Sequence, residues 1–291
     1  MPADLVYLNG KILPRSEARV SVEDRGFSFG DGVYEVLRVV EGRLFAADFH
    51  NRRLERSLDG IRIQLPSGQT VEGLTAIASE LLKENQLLKG EATIYIQVTR
   101  GTATRAHAFP TTPITPTIYI SAIPFKPMTA LQQTGTSAVT HPDLRWGRCD
   151  LKTVNLLPNV LAAQFAAEKG ATEAILIRDG EITEGSKTNV FGVVGGSLRT
   201  HPSDTHILPG ITRSVLENLA AELKVEIDRT PIREAEIPQL REMFLTGTTT
   251  DVLPIVTLDG KAIGDGKPGP ITRRLQKTLT ESIYSSAPVR D

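Results

Sequence analysis

Three Asx-Gly pairs constrain the fold of this chain more than any other feature of its sequence. Asn9-Gly10, Asp179-Gly180 and Asp259-Gly260 each separate two short segments of strand-forming residues. Both positions of such a pair tolerate a positive φ, which a two-residue β-hairpin turn requires. The sequence therefore predicts three antiparallel hairpins, spread from one end of the chain to the other.

Helical periodicity occurs between these strands. Apolar residues at helical spacing predict helices over 48–60, with Asp48 as the N-cap, and over 71–85, 156–170, 211–223 and 271–284. Further strands are predicted at 33–40, 92–99, 117–123, 190–194 and 243–245. Because helices and strands mix without a strict βαβ alternation, the predicted class is α+β rather than a doubly wound sheet.

A proline-rich segment divides the chain. With 291 residues there is enough sequence for two modest domains with cores of their own. Prolines at 124 and 127 cannot donate to a sheet ladder, and they stiffen the chain. We therefore predict a small domain over 1–123, a linker over 124–129 and a larger domain over 130–291.

Composition excludes several classes of partner. The net charge of −1 offers no attraction for nucleic acid or for an anionic membrane. No apolar run approaches the length of a membrane span. The single Cys149 rules out an intramolecular disulfide and fits a reducing cytosol, so a cytoplasmic location is expected. No metal site is predicted.

Two stretches carry residues suited to chemistry. Residues 149–159 place Lys152 in a polar turn just before an apolar helix, and residues 182–191 place Glu184 at a glycine turn between two strands. An amine that can form an imine, together with a remote acid, is what a pyridoxal phosphate enzyme needs. Taken alone, however, a lysine is usually a solvated surface residue.

The two stretches closely resemble the lysine and glutamate motifs of the class IV aminotransferases, of fold type IV, and the resemblance extends over nearly the whole chain. It implies a two-domain α+β enzyme with pyridoxal 5′-phosphate between the domains. Lys152 would hold the cofactor as a Schiff base and then move a proton between the substrate α-carbon and C4′. Glu184 would pair with the pyridine nitrogen and favour its protonated form.

The same resemblance assigns the rest of the cofactor site. Arg53 matches the phosphate-binding arginine of the family, and Leu208 would lie against the ring. The remaining phosphate ligands would come from a helix start and a threonine-rich loop: Gly210, Ile211, Thr212, Gly247 and Thr248. A helix start offers free N–H groups to an anion. Read without the family, the same segments fit a capped helix, a polar loop and a solvated basic helix face.

A finer resemblance concerns the substrate. Arg105-Ala106-His107 is similar to the Arg-x-His element of the D-amino acid transaminases within this family. There the arginine and histidine reach over from the neighbouring subunit and join a tyrosine, here Tyr34, to trap the α-carboxylate. The resemblance therefore implies a homodimer. Lys187 departs from the pattern, because those enzymes carry a small serine there. It could alter the pH optimum or side-chain preference, or point to solvent.

The expected activity is transfer of the amino group of D-amino acids such as D-alanine to 2-oxoglutarate. Three alternatives belong to the same family: a branched-chain L-amino acid transaminase, an R-selective amine transaminase and 4-amino-4-deoxychorismate lyase. Arg105 with His107 argues against all three. A non-catalytic dimeric homologue is a further alternative, and the intact Lys152, Glu184 and Arg53 argue against it.

Overall fold

All three predicted hairpins are present in the computed structural model, which describes residues 4–285. The turn residues have positive φ in each case: 47° and 91° at Asn9-Gly10, 52° and 77° at Asp179-Gly180, 49° and 75° at Asp259-Gly260. These angles are those of the two-residue turn that the Asx-Gly pairs predict. Local backbone preference therefore decides these connections.

The chain divides into two compact units. The first runs to Lys126 and also includes Leu151–Asn155, and the second comprises Pro127–Asp150 and the chain from Leu156 onward. The predicted division assigned 151–155 to the second domain, and the structure differs on that segment. Backbone hydrogen bonds explain the difference: the Tyr34 N–H donates to the Lys152 carbonyl at 3.0 Å, and the Val154 N–H donates to the Gly32 carbonyl at 3.0 Å.

The first unit contains a six-stranded antiparallel sheet in the order β2-β1-β6-β5-β3-β4. Its strands are β1 (Leu5–Leu8), β2 (Lys11–Pro14), β3 (Gly32–Val40), β4 (Arg43–Leu44), β5 (Glu91–Thr99) and β6 (Thr117–Pro124). Its helices are α1 (Arg25–Phe29), α2 (Ala47–Gly60) and α3 (Val71–Glu84), with a 3-10 turn at Arg15–Glu17. Helices α2 and α3 pack on the sheet, where Leu54 of α2 and Leu81 of α3 share a buried apolar cluster with the strand residues Leu37 and Ile94.

Helix α2 begins earlier than predicted. Its N-cap is Ala46, which has a φ of 53°, and the predicted N-cap Asp48 lies inside the first turn. The helix starts without a side-chain cap, because alanine has no side-chain oxygen that could accept from the first N–H groups. Asp48 still interacts favourably with the positive end of the helix dipole.

The second unit contains a nine-stranded mixed sheet. Along its main path the order is β12-β11-β10-β13-β14-β7-β8-β9, and β15 pairs with β14. Its strands are β7 (Thr136–Pro142), β8 (Glu173–Arg178), β9 (Glu181–Gly185), β10 (Asn189–Val194), β11 (Ser197–Thr200), β12 (Ile227–Asp228), β13 (Glu242–Gly247), β14 (Asp251–Leu258) and β15 (Lys261–Ala262). Its helices are α4 (Thr129–Thr134), α5 (Leu157–Glu168), α6 (Ile211–Glu222) and α7 (Pro270–Tyr284), with a 3-10 helix at Glu234–Gln239.

Strand β7 was not predicted from the sequence. It pairs in parallel with both β8 and β14, while β8–β9 and β13–β14 are antiparallel. The sheet is therefore mixed, and the predicted α+β class is confirmed. Between residues 4 and 285, no helix is long and apolar enough to cross a membrane.

Candidate active site

Lys152 is held by its backbone against the first unit. Its N–H donates to the Ser57 hydroxyl at 3.1 Å, and its carbonyl accepts from the Tyr34 N–H. The side chain is half-buried, and its Nζ lies 4.2 Å from the centre of the Tyr34 ring, a cation–π contact. The structure therefore brings together the predicted amine and the predicted substrate tyrosine.

A buried ion pair fixes Arg53. Its Nε donates to Glu35 Oε1 at 2.7 Å and its Nη2 donates to Oε2 at 2.9 Å. The alternative of a solvated basic face is wrong for Arg53, because it is only 7% exposed. His50 completes the group, with Nδ1 2.7 Å from Glu35 Oε2. The guanidinium direction is thus set by a carboxylate rather than by solvent.

Electrostatics in this group favour an ionised glutamate and a neutral histidine. Burial alone would raise the pKa of Glu35, but Arg53 and His50 together hold that pKa well below its usual range. Burial lowers the pKa of His50, and the charges of Arg53 and Lys152 lower it further, against the opposing effect of Glu35. A neutral His50 can then donate Nδ1–H to Glu35. Sequence analysis did not single out Glu35 or His50; the available signal for Glu35 was a carboxylate in a strand made mostly of apolar residues.

The Arg105 and His107 side chains lie on an exposed loop whose backbone is anchored. Arg25 donates from Nη1 to the Ala106 carbonyl at 2.6 Å and from Nη2 to the His107 carbonyl at 3.3 Å. The Phe29 ring lies 5.0 Å from the Arg105 guanidinium and 5.4 Å from the His107 ring. The two side chains are therefore positioned by their neighbours while remaining accessible.

Glu184 is buried in the second unit among hydrogen-bond donors. The Leu208 N–H donates to both of its oxygens, at 3.1 and 3.2 Å, and Asn189 Nδ2 donates to Oε2 at 2.8 Å. Arg145 donates to Oε1 and forms an ion pair with Glu184. Sequence analysis predicted Glu184 and Leu208 together, and the structure places them in direct contact.

Arg145 divides its charge between two carboxylates. It forms a bidentate pair with Asp143, at 2.9 and 2.8 Å, in addition to its bond to Glu184. Burial raises the pKa of Glu184 to about 7, against the opposing effect of Arg145 and the Leu208 amide. For Asp143 burial also opposes ionisation, but Arg145 prevails and lowers the pKa to about 2. A further cation beside Glu184 would draw it into the ionised form.

Arg145 is a residue that sequence analysis missed. Its only signal in the sequence was its position between Asp143 and the lysine turn. That signal is weak, because charged residues in such loops usually lie on the surface. Sequence analysis did single out Lys187, either as a cation that affects the site or as a side chain that points to solvent. Lys187 is exposed, which favours the second interpretation. Among the described residues of the second unit, Arg145 is the cation that forms an ion pair with Glu184.

The start of α6 presents backbone donors without a side-chain acceptor. Its N-cap is Gly210, and no side chain caps the helix. A Cβ at Gly210 would lie 1.9 Å from Asn189 Oδ1, so only glycine fits beside this residue. Ile211 and Thr212 follow as buried residues of the first turn. The helix start can therefore accept an anion with no other cap to displace.

Unpartnered donors occur near this helix start. Helix α6 packs against β13, which ends in Thr246 and Gly247 and is followed by half-buried Thr248. The backbone N–H groups of the first turn of α6 have no side-chain cap, and among residues 4–285 the buried Thr246 hydroxyl has no hydrogen-bond partner. Buried donors that lack acceptors are costly unless a ligand satisfies them. The phosphate of a cofactor is chemically suited to this group.

Comparison with a known family covers most of the chain. The family described as amino-transferase class IV matches residues 32–258. That range contains every residue assigned above to the cofactor and to the substrate carboxylate.

Similar proteins span nearly the full length. A D-alanine aminotransferase of Staphylococcus haemolyticus is 41% identical over 281 residues, covering 96% of this chain and 98% of the relative. One of Bacillus licheniformis is 42% identical over 280 residues, covering 96% and 97%. Among solved structures, the Escherichia coli branched-chain amino acid aminotransferase has a TM-score of 0.87 at 26% identity, covering 96% and 94%.

Proposed function

This chain belongs to the class IV aminotransferases, which depend on pyridoxal 5′-phosphate, and we propose that it transfers the amino group of D-amino acids such as D-alanine to 2-oxoglutarate. The observation that carries the choice of substrate is the anchored, exposed Arg105–His107 loop. A guanidinium and an imidazole in this arrangement suit the carboxylate of an amino acid. Tyr34 would be the third member of that trap.

Residues of the first and second units would together supply what the cofactor requires. Lys152 would hold it covalently, Glu184 would pair with its ring nitrogen, and Leu208 would lie against the ring. Its phosphate would bind Arg53, Gly210, Ile211, Thr212, Gly247 and Thr248. When bound, the protonated ring draws electrons from the substrate α-carbon and so weakens the C–H bond.

Two residues would act during turnover. Once the amino group of the substrate has replaced it on the cofactor, Lys152 Nζ would take the proton from the substrate α-carbon and deliver it to C4′, as general base and then acid. The Tyr34 ring, 4.2 Å from Nζ, would limit the directions in which this amine can move. Glu184, with its pKa raised to about 7 by burial, would become fully ionised beside a protonated ring nitrogen and thereby hold that proton in place.

We further propose a cytoplasmic homodimer in which Arg105 and His107 serve the site of the second copy. Both side chains are exposed in the single chain, and a second copy would cover them. Excluding water in this way strengthens the binding of a substrate carboxylate. The buried single Cys149 is consistent with a reducing compartment.

Lys152→Ala tests the enzymatic proposal. Turnover of D-alanine with 2-oxoglutarate should fall by several orders of magnitude, because the residue that moves the proton is gone. Borohydride should fix the cofactor to residue 152 of the unchanged protein and not to the variant. Lys169→Ala, at an exposed lysine, is the matched control and should keep full activity. Near-normal turnover by Lys152→Ala would refute the assignment.

A panel of amino donors tests the choice of substrate. D-alanine, L-alanine, D-glutamate, L-leucine and R-1-phenylethylamine should each be assayed with 2-oxoglutarate. The branched-chain alternative is kept because the 0.87 TM-score is to an enzyme of that name. Arg105→Ala should raise the KM for D-amino acids more than it weakens cofactor binding. A preference for L-leucine over D-alanine would instead assign the branched-chain activity.

A further inference from the structure

A second constellation of ligand-type residues lies in the loop between β11 and α6. We call residues 200–208 the His-Asp-His loop, after His201, Asp204 and His206. One ligand atom from each of these three side chains lies within 4.8 Å of the other two. None of the three has a role in the cofactor chemistry above, although the loop ends at Leu208.

The three side chains approach one another without forming side-chain hydrogen bonds among themselves. Asp204 lies between the imidazoles: His201 Nδ1 is 3.8 Å from Oδ1, and His206 Nδ1 is 3.5 Å from Oδ2. Two ligands of a tetrahedral zinc ion with bonds of about 2.0–2.1 Å are separated by about 3.4 Å. The His206–Asp204 gap is therefore already close to the separation that a shared cation imposes.

The loop is ordered around these ligands by its own backbone. His201 is 5% exposed, and its Nδ1 lies 3.0 Å from the Pro202 carbonyl oxygen, a contact that orients the ring and that Nδ1 exchanges for the ion when metal binds. The His206 N–H donates to Asp204 Oδ1 at 2.7 Å, closing a tight turn. The Asp204 and His206 side chains are 40% and 43% exposed, so an ion can enter and both can move to close the remaining gap.

We propose that the His-Asp-His loop binds one divalent transition-metal ion through His201, Asp204 and His206. Two imidazoles and one carboxylate form a borderline donor set that suits zinc, cobalt or nickel rather than calcium or magnesium. Three protein ligands leave at least one coordination position for water. The ion contacts neither substrate nor cofactor, and it affects transamination only through the contacts of the loop.

The same loop contacts the carboxylate of the candidate active site. The His206 carbonyl accepts from Arg145 Nη2 at 2.9 Å, and the Leu208 N–H donates to Glu184. The Thr205 carbonyl accepts from the Cys149 N–H at 2.9 Å. An ion held by His206 restrains both the Arg145 contact and the Leu208 contact. Metal binding is therefore coupled to Glu184, a step that rests on the proposed function.

Direct metal binding tests the site. Untagged holoenzyme, freed of unbound cofactor and amino acids because both chelate metals, is dialysed against Zn²⁺ or Co²⁺, and bound metal is counted by mass spectrometry. One ion per chain is expected. Asp204→Asn and His206→Asn should each weaken binding about tenfold or more. Asp204→Asn retains an oxygen to accept from the His206 N–H, so the turn survives.

The chain offers a matched control in His141, whose Nδ1 lies 2.7 Å from the Pro142 carbonyl just as His201 faces Pro202. His141→Asn should leave binding unchanged. Lys152→Ala should also bind one ion, which separates this site from the proposed transamination. Binding of less than one ion, or equal losses in His141→Asn and His206→Asn, would overturn the site.

Kinetics test the coupling. Saturating Zn²⁺ should change kcat of the unchanged enzyme at least twofold and leave His206→Asn unaffected at the same concentration. An equal response of both proteins, or no response of either, would overturn the link to Glu184 while the dialysis result decides the site itself.

Discussion

Two buried glutamates, each bonded to an arginine, have pKa values shifted in opposite directions. Glu35 receives two hydrogen bonds from Arg53 and one contact from His50, and its pKa lies well below the usual range. Glu184 has Arg145 and the Leu208 amide as donors, yet burial raises its pKa to about 7. The exposures are similar, at 1% and 5%. Burial alone therefore does not decide the charge of either group.

The two pKa values differ because the two glutamates accept different numbers of hydrogen bonds from their arginines. Arg53 gives Glu35 a bidentate pair, whereas Arg145 gives its bidentate pair to Asp143 and a single nitrogen to Glu184. The bidentate ion pair of Glu35 offsets the cost of removing its carboxylate from water, whereas the single bond from Arg145 does not offset that cost for Glu184. Glu35 is thus a fixed structural anion, while Glu184 is an incomplete site that a cationic ring would complete.

Glu35→Gln should have the largest energetic effect. Removing one charge of a buried pair leaves Arg53 uncompensated, and the expected loss is about 3–5 kcal/mol in the free energy of unfolding. Urea denaturation of the apoenzyme at neutral pH measures it. Glu281→Gln, which alters only the exposed pair with Lys277, should show no measurable loss. A loss near zero for Glu35→Gln would mean that the pair is not structural.

Glu184→Gln should affect activity rather than folding at neutral pH. The variant keeps a hydrogen-bonding side chain but cannot compensate a protonated ring nitrogen, so kcat should fall by about 10²–10³-fold, equivalent to about 3–4 kcal/mol. Cofactor should remain bound, as absorbance after gel filtration will report. Full activity would show that Glu184 does not serve the ring.

The two glutamates should also give stability slopes at different pH. The raised folded pKa of Glu184, about 7 against an ordinary 4.5, means that the native state retains a proton that the unfolded state has lost. Its contribution is complete below pH 4.5 and is lost as pH rises through 7, about 3 kcal/mol in all. Glu35 behaves in the opposite way, because its folded pKa is lowered: its contribution is complete above its ordinary pKa and is lost in acid.

Subtracting the pH–stability curve of each Gln variant from that of the unchanged apoenzyme isolates these two slopes. The stability difference between the unchanged protein and Glu184→Gln should decrease as pH rises from 4.5 to 7. The corresponding difference for Glu35→Gln should decrease as pH falls below 4.5. Slopes of the same sign would contradict the comparison.

Lys187→Ser should have the smallest effect. Lys187 is exposed, and solvent screens an exposed charge from a buried carboxylate. We expect kcat/KM for D-alanine to change by less than about twofold, and the pH optimum to stay in place. A displaced optimum would show that this cation, and not Arg145 alone, sets the behaviour of Glu184.

Much of the architecture follows from local sequence signals. Helices α3, α6 and α7 begin within one residue of their predicted starts, because their apolar faces repeat at helical spacing. Strand β7 escaped prediction because its register comes from parallel pairing with β8 and β14, which lie far away in sequence. The docking of Leu151–Asn155 on the first unit likewise depends on distant hydrogen bonds.

The sequence by itself determined the three hairpin turns, since turn chemistry is a local property, and its resemblance to a family identified Lys152 and Glu184 as the residues to examine. Only the tertiary structure decided that Glu35 completes Arg53 and that Arg145 is divided between Asp143 and Glu184. The physical reason is that a charge state depends on burial and on partners brought from elsewhere in the chain. Neither burial nor a distant partner can be predicted from the residues that neighbour a glutamate in the sequence.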